Sequence, residues 1–240
     1  MLKIITLLII LCISPVTINA QSNTSPEEDK LLASLNKLPP PPKSIDDVVK
    51  LLDASKIDLG EIRRLTALSD SEPSPGLGKQ ELFTFYRNRA RANEALARYK
   101  QMEADCQKEL EFASSVDEVD DARMTCINAA YHSGDPFKAI DLTKKAIAAL
   151  PNNSRYGWHL SYQMLLVNAN RILGDIESAR VALRDVDGLM VLLQRSPAWG
   201  EWGTHWTYQA ERARGEFLMT AGNPVAAELS YIRALAANDK

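Results

Sequence analysis

Tyr208–Lys240 reads YQAERARGEFLMTAGNPVAAELSYIRALAANDK, and this stretch decides the fold. Two helix-forming phrases rich in Ala, Leu, Glu and Arg flank the dipeptide Gly222-Asn223. A Gly followed by Asn ends one helix in a left-handed residue and caps the next. Ala227, five residues after the Gly, is small enough for the second helix to lie close to the first. The same phrase occurs twice upstream. Gly134-Asp135 is followed by Ala139, and Gly174-Asp175 by Ala179. A degenerate copy stands at Leu96-Ala97-Arg98-Tyr99, where Ala97 takes the Gly place. The Gly-equivalent positions are spaced by 37, 40 and 48 residues, so the chain from Glu81 onward is expected to be a series of helical hairpins. The longest interval predicts an extended second helix through Leu189–Leu193 and a loop at Ser196-Pro197-Ala198.

These phrases resemble the tetratricopeptide repeat, a helix–turn–helix unit of about 34 residues. The family prefers small residues at its eighth, twentieth and twenty-seventh positions and a large one near the twenty-fourth. In the last unit Gly215, Ala227, Ala234 and Tyr231 fill those places. The unit beginning at Asp120 keeps Gly134, Ala139, Ala146 and Pro151 but has Ile127 at the eighth. The unit beginning at Leu160 keeps Gly174, Ala179 and Leu183, with Val167 and Val186 at small-residue places. The unit beginning at Phe83 keeps Ala90 but carries Met102 and Glu109 at the twentieth and twenty-seventh. The resemblance implies an all-α fold, a right-handed α-solenoid of about four repeats over residues 81–240. One helix pair cannot bury its apolar faces alone, so the units are expected to stack.

Upstream, Met1-Leu2-Lys3, the uncharged apolar run Ile4–Ile13 and the small Ala20 read as a secretory signal peptide over residues 1–20. The run is about ten residues, half of the ~20 a membrane span needs. The mature protein is therefore expected to be exported, periplasmic or secreted, with no membrane span and a formal charge of −4 once Lys3 is removed from the total of −3. Residues 21–44 contain Pro39–Pro42 and read as a stiff Pro-rich linker. Residues 45–80 read as a helical lead-in and loop. A cap at Ser44-Ile45-Asp46-Asp47 opens one helix, a second starts near Leu59, and Asp70–Gly78 forms the loop. The lead-in, the Pro/Gly loop and the degenerate early repeats are also similar to the repeat region of bacterial exported proteins in which such repeats precede a caspase-like CHAT protease domain. That resemblance implies a regulatory or scaffolding subunit of a catalytic partner, with no protease residues to carry over.

Chemistry is sparse. The acidic balance gives no global field for nucleic acid. His132, His159 and His205 are scattered without metal-ligand spacing, and no nucleophile or phosphate-loop frame occurs, so no enzyme activity, cofactor or metal is expected. Trp199, Trp202 and Trp206, with Gly200 and Gly203 between, read as an inter-repeat loop packed onto the array, or as a ligand platform.

In repeats of this kind the fifth, ninth and twelfth residues of each first helix face a concave groove. Here those places hold Arg87, Arg91 and Glu94, then Met124, Asn128 and Tyr131, then Met164, Asn168 and Arg171, and finally Arg212, Glu216 and Met219. An Arg- and Asn-lined groove in an acidic protein suits acidic or C-terminal peptide segments, so the expected role is a protein–protein interaction module with a protein or peptide partner. Ala226, Leu229, Ile232 and Leu235 on the last helix are expected to present apolar surface to a second copy, a partner or a further domain.

Two cysteines remain after export. Cys106 lies on the stripe Tyr99, Met102, Cys106, Leu110 and Ala113, and Cys126 on Val119, Ala122, Cys126 and Ala130. Both lie ten residues from a turn near Val116, which puts them level on facing helices. An oxidising compartment then favours a Cys106–Cys126 disulfide contributing roughly 3 kcal/mol; two buried free thiols are the alternative.

Overall fold

The computed structural model describes residues 43–54, 58–151 and 155–238. The signal-peptide reading and residues 21–42 of the linker lie outside the described residues. Among the described residues the protein is all-helical, with ten helices and no strand. They are α1 (Ile45–Ala54), α2 (Leu59–Ser69), α3 (Lys79–Ala95), α4 (Tyr99–Phe112), α5 (Val116–His132), α6 (Pro136–Ala148), α7 (Tyr156–Ile172), α8 (Ile176–Leu193), α9 (Trp199–Thr220) and α10 (Pro224–Asn238).

The four expected turns share one geometry. Gly134, Gly174 and Gly222 have φ of 84°, 75° and 80°, and Ala97 adopts φ 55°. In each turn the next amide reaches back to the helix before it: Arg98 to Asn93, Asp135 to Ala130, Asp175 to Asn170 and Asn223 to Leu218, at 2.7–3.0 Å. Asp135, Asp175 and Asn223 then accept the amides of Lys138, Ser178 and Ala226 and so start the second helix. The degenerate copy keeps this turn without Gly or a side-chain cap. A Cβ in the left-handed region costs about 1–2 kcal/mol. Ala97→Gly is therefore expected to stabilise the protein by about 1 kcal/mol in denaturant titration, and Gly134→Ala to destabilise it by a similar amount.

Packing follows the repeat register. The eighth-position residues Ala90, Ile127 and Val167 are at most 1% exposed, and Gly215 is buried. At Gly215 a Cβ would sit 2.7 Å from the Tyr231 ring, so only Gly admits this approach. The twentieth-position residues Met102, Ala139, Ala179 and Ala227 are buried, as are the twenty-seventh-position residues Ala146, Val186 and Ala234. Glu109 holds that last place in the first unit and is 0% exposed, a carboxyl where the other units put a methyl or isopropyl group.

From α2 to α10 each helix packs on the next. In addition α3 touches α5, α5 touches α7 and α7 touches α9, whereas the backbones of α4, α6, α8 and α10 stay apart, with α4 and α6 joined by the Lys138–Glu103 ion pair. The first helices α3, α5, α7 and α9 of the hairpins thus follow one another in a contiguous row. The α4–α5 seam carries the Cys106–Cys126 disulfide, with a Cα–Cα distance of 5.2 Å, as the level placement of the two residues required.

The lead-in folds as two helices. Ser44 Oγ accepts the Asp47 amide while the Asp47 carboxylate accepts the Ser44 amide. Asp58 caps α2 by accepting the amides of Gly60 and Glu61. The helix α2 is anchored by polar groups, since none of its residues is buried. Arg89 donates to Asp105 from Nε, at 3.0 and 3.2 Å, and from Nη2, at 2.7 Å, and to the Ser71 carbonyl from Nη1 at 2.7 Å. Asn93 donates to Asp105, Ser69 donates to Asn93, and Arg98 donates to Ser69 and Asp70. The Asp105 side chain is 3% exposed, so this network ties α2 and its loop to the first hairpin through a buried charge.

Two expectations need correction. Trp199–Trp206 is not a loop but the first two turns of the 22-residue α9. Gly203 makes this workable: a Cβ there would lie 2.7 Å from the Trp199 ring, which packs flat against the helix in its place. Trp199 and Trp206 join the core around Leu160 and Leu193, with ring centroids 6.2 Å apart. On the last helix Ile232 is 2% exposed, covered by its own hairpin, while Leu235 and Val225 are exposed and Ala226 and Leu229 half-buried.

Candidate functional site

The layer α3, α5, α7, α9 positions the sequence-predicted groove residues, and it gathers them into two groups. On the first, Arg87 Nη1 lies 3.3 Å and Arg91 Nη2 3.7 Å from the Asp121 carboxylate on α5. Two guanidiniums of one unit thus converge on one carboxylate of the next. Arg91 is the more accessible, with 60% of its side chain exposed.

The second group spans three hairpins. Arg171 on α7 meets Glu216 on α9 at 3.0 Å, and Arg212 lies 3.9 Å from the same carboxylate. Tyr131 on α5 is near enough to feel all three charges. Burial pushes its hydroxyl above the ordinary value; the charges of Arg171 and Arg212 work against that shift, and Glu216 adds to it. Tyr231 on α10 is raised by burial too and feels Glu216 and Arg171. Asn128 and Asn168 are half-buried on α5 and α7.

Three groove atoms are buried without a hydrogen-bond partner: Asn168 Oδ1, Arg171 Nε and Arg87 Nε. Asn168 and Arg171 are one helical turn apart, so an unused acceptor and an unused donor lie side by side. Desolvating such groups unpaired costs about 1–3 kcal/mol each, which a ligand amide could recover.

The sequence did not reveal the countercharges. Asp121 and Glu216 occupy the centre of each group and offset much of the Arg excess. Glu216 was visible as a groove position, but its role as the bridge between Arg171 and Arg212 was not. Asp121 lies outside the groove register, and only its separation of about one repeat from Arg87 connects the two.

The three histidines lie apart. His132 stacks on Tyr99 at 5.3 Å, His159 lies beside Gln163, and His205 meets the Trp202 ring edge-on. Among the described residues no group of three or more His, Cys, Asp or Glu could hold a metal ion, and no helix is long and apolar enough to cross a membrane. Comparison with protein-family models, curated proteins and solved structures returned no match.

Proposed function

We propose that α3–α10 form a right-handed solenoid of four tetratricopeptide-like repeats, and that the protein is a non-enzymatic interaction module of an exported compartment. It holds an extended polypeptide along the α3–α5–α7–α9 layer. The single observation that carries this reading is the unpaired acceptor–donor couple, Asn168 Oδ1 and Arg171 Nε, on that layer. One residue of an extended chain presents a C=O and an N–H, the complement of that couple. The ligand is acidic or ends in a free carboxylate, because Arg91 and Arg212 stand more exposed than the carboxylates that bridge them. The buried disulfide supports an oxidising compartment.

The test uses labelled acidic peptides with free C-termini and fluorescence anisotropy. The wild-type protein is expected to bind them with an affinity that falls as salt rises, since exposed pairs are screened over about 8–10 Å. Arg91→Glu combined with Arg171→Glu should lower affinity at least about tenfold while the thermal transition persists. Unchanged affinity in the double variant would overturn the proposal.

A further inference from the structure

A cleft of about 360 Å³ lies between Lys144 of α6 and the α8 residues Glu177–Asp185. Its floor is α7, through Gln163 and Leu166, and its α8 wall carries Val181, Ala182 and Asp185. Gln163 is 7% exposed. Its amide nitrogen is spent on the His159 ring, 3.4 Å away, and its carbonyl oxygen is buried with no partner. The floor therefore offers one unused hydrogen-bond acceptor beside apolar side chains.

The charges around the cleft point the same way. Lys144 on the α6 rim acts on Asp175, whose carboxyl the Ser178 amide and then Lys144 hold below its ordinary range. Glu177 is paired with Arg180 at 3.5 Å. Among the described residues Asp185 forms no ion pair, and its charge acts on the His159 ring, whose pKa burial lowers and Asp185 raises. Asp185 is thus the carboxylate of the cleft lining without an ion pair, with Lys144 the cation on the α6 side. An acceptor and an anion above an apolar floor select a donor that is cationic and carried on hydrocarbon.

We propose that this cleft binds a primary ammonium group on an aliphatic stem, the chemistry shared by a lysine side chain and a free alkyl diamine. The ammonium donates to Gln163 Oε1 and faces the Asp185 carboxylate, and the methylenes lie on Leu166, Val181 and Ala182. This site is independent of the peptide groove and stands whether or not that groove binds a ligand.

The experiment titrates the full chain with Nα-acetyl-lysine amide, with cadaverine and with Nα-acetyl-norleucine amide, reading methyl and side-chain amide NMR shifts. Saturable shifts at Leu166, Val181 and Gln163 are expected with the amines and not with norleucine amide, which keeps the stem without the charge. Gln163→Leu and the surface variant Asp185→Asn should each weaken binding about tenfold. Binding of lysine amide alone assigns the site to a protein side chain, and binding of both amines admits a free diamine. No saturable shift, equal binding of norleucine amide, or wild-type affinity in both variants would overturn the proposal.

Discussion

Between pH 5 and pH 8 the protein is expected to lose about 2–3 kcal/mol of stability through Glu109 alone, since a tenfold change in proton affinity is worth about 1.36 kcal/mol. Burial raises the pKa of this carboxyl from 4.5 to about 7; Asp121 adds to the rise, while Thr125 and then Arg87 and Arg91 oppose it. Neither carboxyl oxygen receives a hydrogen bond. The folded state therefore holds this proton where the unfolded chain has released it. Its contribution is complete below pH 4.5 and vanishes as pH rises through about 7. Glu109→Gln has no proton to lose. Wild type and variant should melt together at pH 5, and at pH 8 the variant should melt about 5–10 °C higher. A difference in melting temperature that does not change with pH would show that Glu109 is ionised throughout.

Loss of the Arg89 guanidinium should cost about 3 kcal/mol or more. It is the main partner of the buried Asp105, and removing one member of such a pair strands the other charge. Arg89→Met keeps the apolar stem, and with it the packing against the Phe85 and Tyr86 rings, while removing the donors. Two readouts separate this from a general loss of packing. Asp105→Leu added to Arg89→Met should recover much of the stability, as a double-mutant cycle requires when the cost is a stranded charge. Amides of α2 should also lose exchange protection before those of α9, because Arg89 is one of the few groups joining that segment to the rest. If the double variant is as unstable as the single one, the effect comes from lost packing.

The turns were legible because their chemistry is local. A left-handed residue wants Gly and a helix start wants Asp or Asn, so three dipeptides announced three hairpins, and a degenerate copy of the phrase placed the fourth at Ala97. The disulfide was legible for a related reason: two residues equidistant from one turn must lie level. What remained hidden depends on partners far away in sequence. Glu109 stood at a packing place of the register beside Met102 and Cys106, but nothing near it says that its carboxyl is buried without a hydrogen bond. Asp121 and Asp105 read as ordinary surface carboxylates until a neighbouring helix brings Arg87 or Arg89 to them. The Trp199–Trp206 segment misled because two glycines and a preceding Pro signal a loop, while the cause of its helicity is a ring filling the space of an absent Cβ. The solenoid arrangement and the peptide partner remain proposals that rest on this register.

The seams between hairpins are not mechanically alike. At the α4–α5 seam a covalent bond closes the chain across a separation of 20 residues, while the α6–α7 and α8–α9 seams are held by side-chain packing. Under tension along the chain, the packed seams can peel apart and release their full length. The bonded one cannot: about 70 Å of chain stays locked inside the loop, at roughly 3.5 Å per residue. The chain therefore has one inextensible link between its first two hairpins, and its stretched length depends on the redox state of its surroundings.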